Sequence, residues 1–149
     1  MHNLTRSWLI GWVRLTWVGL ALLLVSCAAD DPLAELKAEV AALADNLDNK
    51  RSAAVLAQLH PSFHAQDGQF DRAWAQRTMT LLYLRHKNVH VLPLAVDSQL
   101  TGAERGTTQA QVTLAGAEQL LPNAAASYRV RLEWWRDDGR WQLARLSWE

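Results

Sequence analysis

One cysteine, four prolines and no surplus of either charge sign set the first limits on this 149-residue chain. A lone thiol cannot close an internal disulfide, so the fold must rest on packing. Lysine plus arginine number 15 and aspartate plus glutamate number 15, so the basic excess typical of nucleic-acid binding is missing. There is no glycine-rich phosphate loop, internal repeat or low-complexity tract, and no motif calls for a cofactor. Half of the residues are apolar, which is the composition of a globular protein rather than a disordered one.

The apolar residues are not spread evenly. Met1 to Arg14 holds two arginines and no acid, and Leu15 to Val25 is almost wholly apolar. A basic start followed by a short apolar run is the pattern of an export signal. Arg14 interrupts the longer apolar stretch, which disfavours a centred membrane span. The run ends in Leu24-Val25-Ser26-Cys27, which resembles the lipobox of bacterial lipoproteins. Small Ser26 would leave the bond open to a peptidase, and the Cys27 sulfur would accept the diacylglyceryl group. Residues 1–26 are then a signal peptide, and 27–31 are a lipidated cysteine with a short tether. Residues 32–149 form the single domain. Several acyl chains on one residue hold a protein stably on a bilayer. Ala28, rather than an aspartate, follows the cysteine, which points to the outer membrane with the domain facing the periplasm. Loss of Arg6 and Arg14 with the leader leaves the remainder at a net charge of −2.

Asp31 and Pro32 read as the N-cap and first residue of a helix whose apolar stripe is Leu33, Leu36, Val40, Leu43 and Leu47. Ser52 can cap a second helix, with Val55, Leu56 and Leu59 buried and Pro61 ending it. Residues 62–70 hold the turn Asp67-Gly68 and read as a short irregular hairpin. Asp71 caps a third helix, whose inward stripe has Trp74, Leu81 and Leu82 as its large members. After Lys87 the period changes to two. A strand begins at Val89 and runs to about Val96, with Pro93 implying an edge or a bulge. Thr108, Ala110, Val112 and Leu114 share one face of the next strand. Tyr128, Val130, Leu132 and Trp134 share one face of another. Asp138-Gly139 is a hairpin turn leading to a last strand, Trp141 to Trp148, whose parity needs a bulge near Ala144. Segregated helices and strands define an α+β class: three helices on a curved antiparallel sheet of four to six strands.

Leu59-His60-Pro61-Ser62-Phe63, Asp67-Gly68 before Phe70-Asp71, and Asp138-Gly139-Arg140-Trp141-Gln142-Leu143 carry a likeness to a known fold. Together with the element order over Pro32 to Glu149, they resemble the nuclear transport factor 2-like superfamily. That superfamily includes ketosteroid isomerases and polyketide-cyclase-like proteins. The resemblance implies a cone-like sheet around a cavity, used by some members for proton transfer or dehydration and by many for binding. It also implies that a sheet-to-sheet homodimer is an available state. Fold alone does not choose among these uses.

An isomerase of that type needs a carboxylate base and an oxyanion donor; Asp97 is the candidate base, with Tyr83 or Tyr128 as donor. A dehydratase would pair His90 with Asp97. Their odd separation puts them on opposite faces unless a bulge near Pro93 intervenes. His60/His64 and His86/His90 have four-residue spacing, but Pro61 breaks one pair and a helix-to-strand change breaks the other, so no metal site is expected. Trp134 and Trp135 are adjacent on a strand, so one faces the interior and the other joins Arg129 and Arg131 outside. Trp135 with these arginines is a candidate interface for an envelope protein, against the alternative that arginine stems cover it. The reading is a membrane-anchored, non-enzymatic binding module for a partner protein or a small apolar ligand. The alternative is a cavity enzyme using Asp97 with Tyr128 or His90.

Overall fold

A computed structural model describes residues 31–86, 88–115 and 126–149. Residues 1–30, where the expected leader, Cys27 and most of the expected tether fall, lie outside the described residues. The element order is α1 (Pro32–Asp48), α2 (Ser52–Gln58), β1 (Leu59–Ala65), β2 (Phe70–Asp71), α3 (Arg72–Arg85), β3 (His90–Gly102), β4 (Arg105–Ala115), β5 (Ala126–Asp137) and β6 (Arg140–Trp148). The six strands form one curved sheet in the order β2-β1-β6-β5-β4-β3, with the helices packed on its concave face. Asp31–Glu149 is a compact unit, and the described core lies entirely within it, from Leu36 to Trp148. Such a unit contains what it needs to fold alone.

The first and third helices start where short acidic side chains can accept from open amides. Asp31 Oδ1 accepts from Leu33 N–H and Ala34 N–H, both at 3.1 Å. Asp71 Oδ1 accepts from Trp74 N–H at 2.7 Å. Ser52 does not cap α2; the N-cap is Arg51, which makes no side-chain cap bond. Gln58 ties α1 to α2: it accepts from Asn46 at 2.9 Å and donates to Glu39 Oε1 at 2.6 Å.

Three further expectations need correction. Leu59 does not extend α2; it begins β1, with Pro61 inside the strand. Pro61 is tolerated because β1 pairs with β6 at Leu59 and again only from His64, so it falls in the unpaired interval. The sheet is not purely antiparallel, since β1 runs parallel to β6. In α3 the inward flank is Ala75, Met79 and Tyr83 beside Trp74, Thr78 and Leu82, while Leu81 is 52% exposed. The sheet, not the count of leucines, sets the rotation of that helix.

Two of the sheet's bulges set which residues face the helices. Glu133 pairs with Arg145 and Trp134 with Leu143, leaving Ala144 as the extra residue of β6. Leu94 pairs with Gln111 and Asp97 with Gln109, so Ala95 and Val96 together oppose Ala110. Ala95 has φ of 49°, a left-handed conformation that bends β3 there. Asp138 and Gly139 both have positive φ, 51° and 74°, as a two-residue hairpin turn of matching twist requires.

Candidate functional site

Between helices and sheet lies a cavity of about 440 Å³, within the usual range of small-molecule sites. Its sheet wall follows the period-two pattern. Thr108, Ala110, Val112 and Leu114 of β4 face in, as do Tyr128, Val130 and Leu132 of β5. Leu143, Leu146 and Trp148 of β6 continue the wall past the Ala144 bulge. The helical wall is Val40, Leu43 and Leu47 of α1 with Trp74, Met79 and Leu82 of α3. Pro93 and Val96 of edge strand β3 line the cavity and are also solvent-exposed, which marks an opening on that side. Trp74 and Trp148 stand nearly parallel, at 12° and 6.1 Å between centroids, and Phe70 stacks on Trp74 at 4.4 Å.

The lining is aliphatic and aromatic, with a few hydroxyls. None of the described lining residues is Asp, Glu, His, Lys or Arg. Tyr83 donates its hydroxyl to the Leu47 carbonyl at 3.2 Å, and burial pushes its phenol above the usual range. It is therefore a neutral donor already engaged. Thr108 and Ser98 share a buried hydroxyl–hydroxyl bond of 2.9 Å. Tyr128 lines the cavity directly, opposite Val112.

The proposed catalytic pair does not converge there. His90 pairs with Ala115 and Asp97 with Gln109, both on the face of β4 turned away from the cavity. The Ala95 bulge thus puts His90 and Asp97 on the same face, but on the outside. Their pairing partners are six residues apart on β4, a separation of about 20 Å. His90 instead contacts Asp48 at the end of α1, with 3.1 Å between Nδ1 and Oδ1. Asp48 also accepts from Val91 N–H at 3.2 Å, and these bonds hold its carboxyl below the usual range.

On the outer face, Trp135 is half-buried rather than open. The Arg105 guanidinium lies 4.6 Å and that of Arg145 4.9 Å from its ring centroid. His60 meets the ring edge-on at 5.0 Å. The flanking arginines are therefore Arg105 and Arg145. Arg129 sits 3.3 Å from Glu149, and Arg131 sits 3.7 Å from Glu133.

One polar pair escaped the sequence reading. His60 Nδ1 accepts from Ser62 N–H at 3.0 Å, so its proton lies on Nε2, which meets Asp137 Oδ2 at 2.7 Å. The partners are 77 residues apart and no local spacing signals them. The pair ties β1 to the end of β5. His64 faces elsewhere, donating from Nδ1 to the Ser62 carbonyl at 2.7 Å.

This is the architecture of the nuclear transport factor 2-like fold, and comparison with solved structures agrees. A nuclear transport factor 2-like protein of unknown function from Pseudomonas putida KT2440 superposes with a TM-score of 0.66 at 10% identity, covering 79% of this chain and 85% of that one. Hexachlorocyclohexane dehydrochlorinase LinA-type3 from Novosphingobium barchaimii gives 0.61 at 13% identity, over 78% and 84% of the two chains. A putative scytalone dehydratase from Novosphingobium aromaticivorans gives 0.59 at 9% identity, over 79% and 83%. No protein-family model and no curated protein matches the sequence. At these identities the likeness defines the fold and not the activity.

Proposed function

We propose that this chain is an envelope lipoprotein whose domain holds a small apolar molecule in the cone. The observation that carries the ligand is the roughly 440 Å³ of space walled by aliphatic and aromatic side chains. A cavity kept open in a domain that can otherwise pack its core forfeits dispersion contacts, and a ligand would restore them. Pyrene tests this, since Trp74 and Trp148 in the wall can sensitise its emission. The Asp31–Glu149 unit should bind pyrene, and the double variant Ala110→Phe, Val112→Phe should weaken binding by roughly 10-fold or more while the domain still melts cooperatively. Equal pyrene binding by wild type and the filled variant would exclude the cavity as the site.

The address rests on the sequence pattern at Leu24-Val25-Ser26-Cys27. Cells expressing the wild-type chain should incorporate radiolabelled palmitate into it, and Cys27→Ser should abolish the label. Label retained by the serine variant would remove the anchor and with it the outer-membrane, periplasm-facing placement.

A second reading is a cavity enzyme of dehydratase or isomerase type. It is favoured by the fold shared with proteins named dehydrochlorinase and putative scytalone dehydratase. In this chain that reading keeps Tyr128 as a hydroxyl inside the cavity but loses Asp97 and His90, which lie on the other face of the sheet. The outer-face partner surface is the weaker form of the binding reading, because the Trp135 ring is already in contact with Arg105 and Arg145.

A further inference from the structure

We infer that the molecule held in this cavity carries no formal charge, and that the Tyr128 hydroxyl is its polar contact. This rests on the cavity being a ligand site. An ion moved from water into the cone would find no opposite charge among the described lining residues. Burying an unpaired ion is far costlier than burying a hydroxyl, so a charged head is selected against even on the same hydrocarbon.

Of the four hydroxyls in the described wall, two are already engaged. Tyr83 is committed to the Leu47 carbonyl and Thr108 to Ser98. Thr78 of α3 makes no side-chain hydrogen bond to another described residue, but a helical threonine can satisfy its hydroxyl on the carbonyl four residues earlier, as Thr80 does on Gln76 at 2.9 Å. Tyr128 stands on a strand with its ring in the wall and makes no side-chain hydrogen bond to another described residue. A phenol both donates and accepts, so it suits an alcohol, a ketone or an ether oxygen equally.

Three competitors with one chain length separate the possibilities: 1-dodecanol, dodecanoate and dodecylammonium, each displacing pyrene from the Asp31–Glu149 unit at neutral pH. Pyrene has no polar atom and reports on the cavity alone. The alcohol should displace it, and the two ions should need roughly 100-fold higher concentrations. Tyr128→Phe should weaken the alcohol by about 5- to 10-fold relative to pyrene, the usual effect of one lost hydrogen bond, because pyrene has no polar atom to lose a partner. An ion that competes within about threefold of the alcohol would overturn the neutral-ligand inference. An alcohol affinity unaltered relative to pyrene in Tyr128→Phe would overturn the role of the phenol. Failure of pyrene itself to bind is a different result, and it would remove the cavity-binding proposal beneath.

Discussion

The two ends of the sheet solve opposite problems with the same strands. At one end, Gly106 of β4 pairs with Trp134 of β5, and Leu36 of α1 drops into the place a side chain at 106 would take. Trp134 and Leu36 are both 0% exposed. Two residues further along, Thr108 and Leu132 already line the cavity, and by Val112 and Tyr128 the helices and sheet have parted. One end is closed by a large ring against a glycine, and at the other the aliphatic and aromatic walls stand apart around the cavity. The apolar cavity is therefore a local feature of this fold, supported by a packed floor.

If that division is right, damage to the floor should cost stability, while changes in the cavity wall should alter binding. Trp134→Ala is the most severe test. It removes the largest fully buried side chain among the described residues and should lower unfolding free energy by about 3–5 kcal/mol, read as a fall in denaturant midpoint. A loss below about 1 kcal/mol would mean the floor is not the support proposed. Gly106→Ala approaches the same place from the other strand. Its new Cβ would lie 2.5 Å from Leu36 Cδ2 and 3.3 Å from the Gln99 carbonyl oxygen. Leu36 is fully buried and can shift only against its packed neighbours, so overpacking of about 1–3 kcal/mol is expected by the same measurement. Leu36→Ala should cost less in the Gly106→Ala background than in the wild type, since the clash is with that one side chain.

The closed floor and the open wall were not equally legible in the sequence. Alternation identified the inward faces of β4 and β5 because both are central strands with one covered side, and period two then follows from the pleat. The α1 stripe was legible for the same reason at period 3.6. The β1 strand was hidden because Pro61 imitates a helix stop, and its parallel pairing with β6 is made across more than 80 residues of chain. The rotation of α3 was misread because exposed Leu81 and Leu84 are as apolar as the residues that face in. The Ala95 bulge was half-anticipated: the parity argument for His90 and Asp97 named the device, but could not say which face they would share. Whether the cone is filled or empty depends on distances between elements, which no residue pattern encodes. The His60–Asp137 bond is of the same kind.

The smallest effect belongs to the fastening at the open end. Where the floor is held by apolar contact, α1 meets β3 through one carboxylate: Asp48 accepts from His90 Nδ1 and from Val91 N–H. Those bonds lower its pKa from the ordinary 3.8, so the folded chain binds that proton more weakly than the unfolded chain does. The stabilisation is therefore fully present above the usual carboxylate range and fades as pH falls through the lowered value. Because the site is exposed and screened, the effect should be modest. Asp48→Asn should lower the melting temperature slightly at pH 6–7 and make the acid limb of its pH dependence shallower than that of wild type, while leaving the response to Trp134→Ala untouched. A variant whose acid limb overlays the wild type would show that the clasp adds nothing, leaving α1 held at this end by Leu43, Leu47 and their neighbours alone.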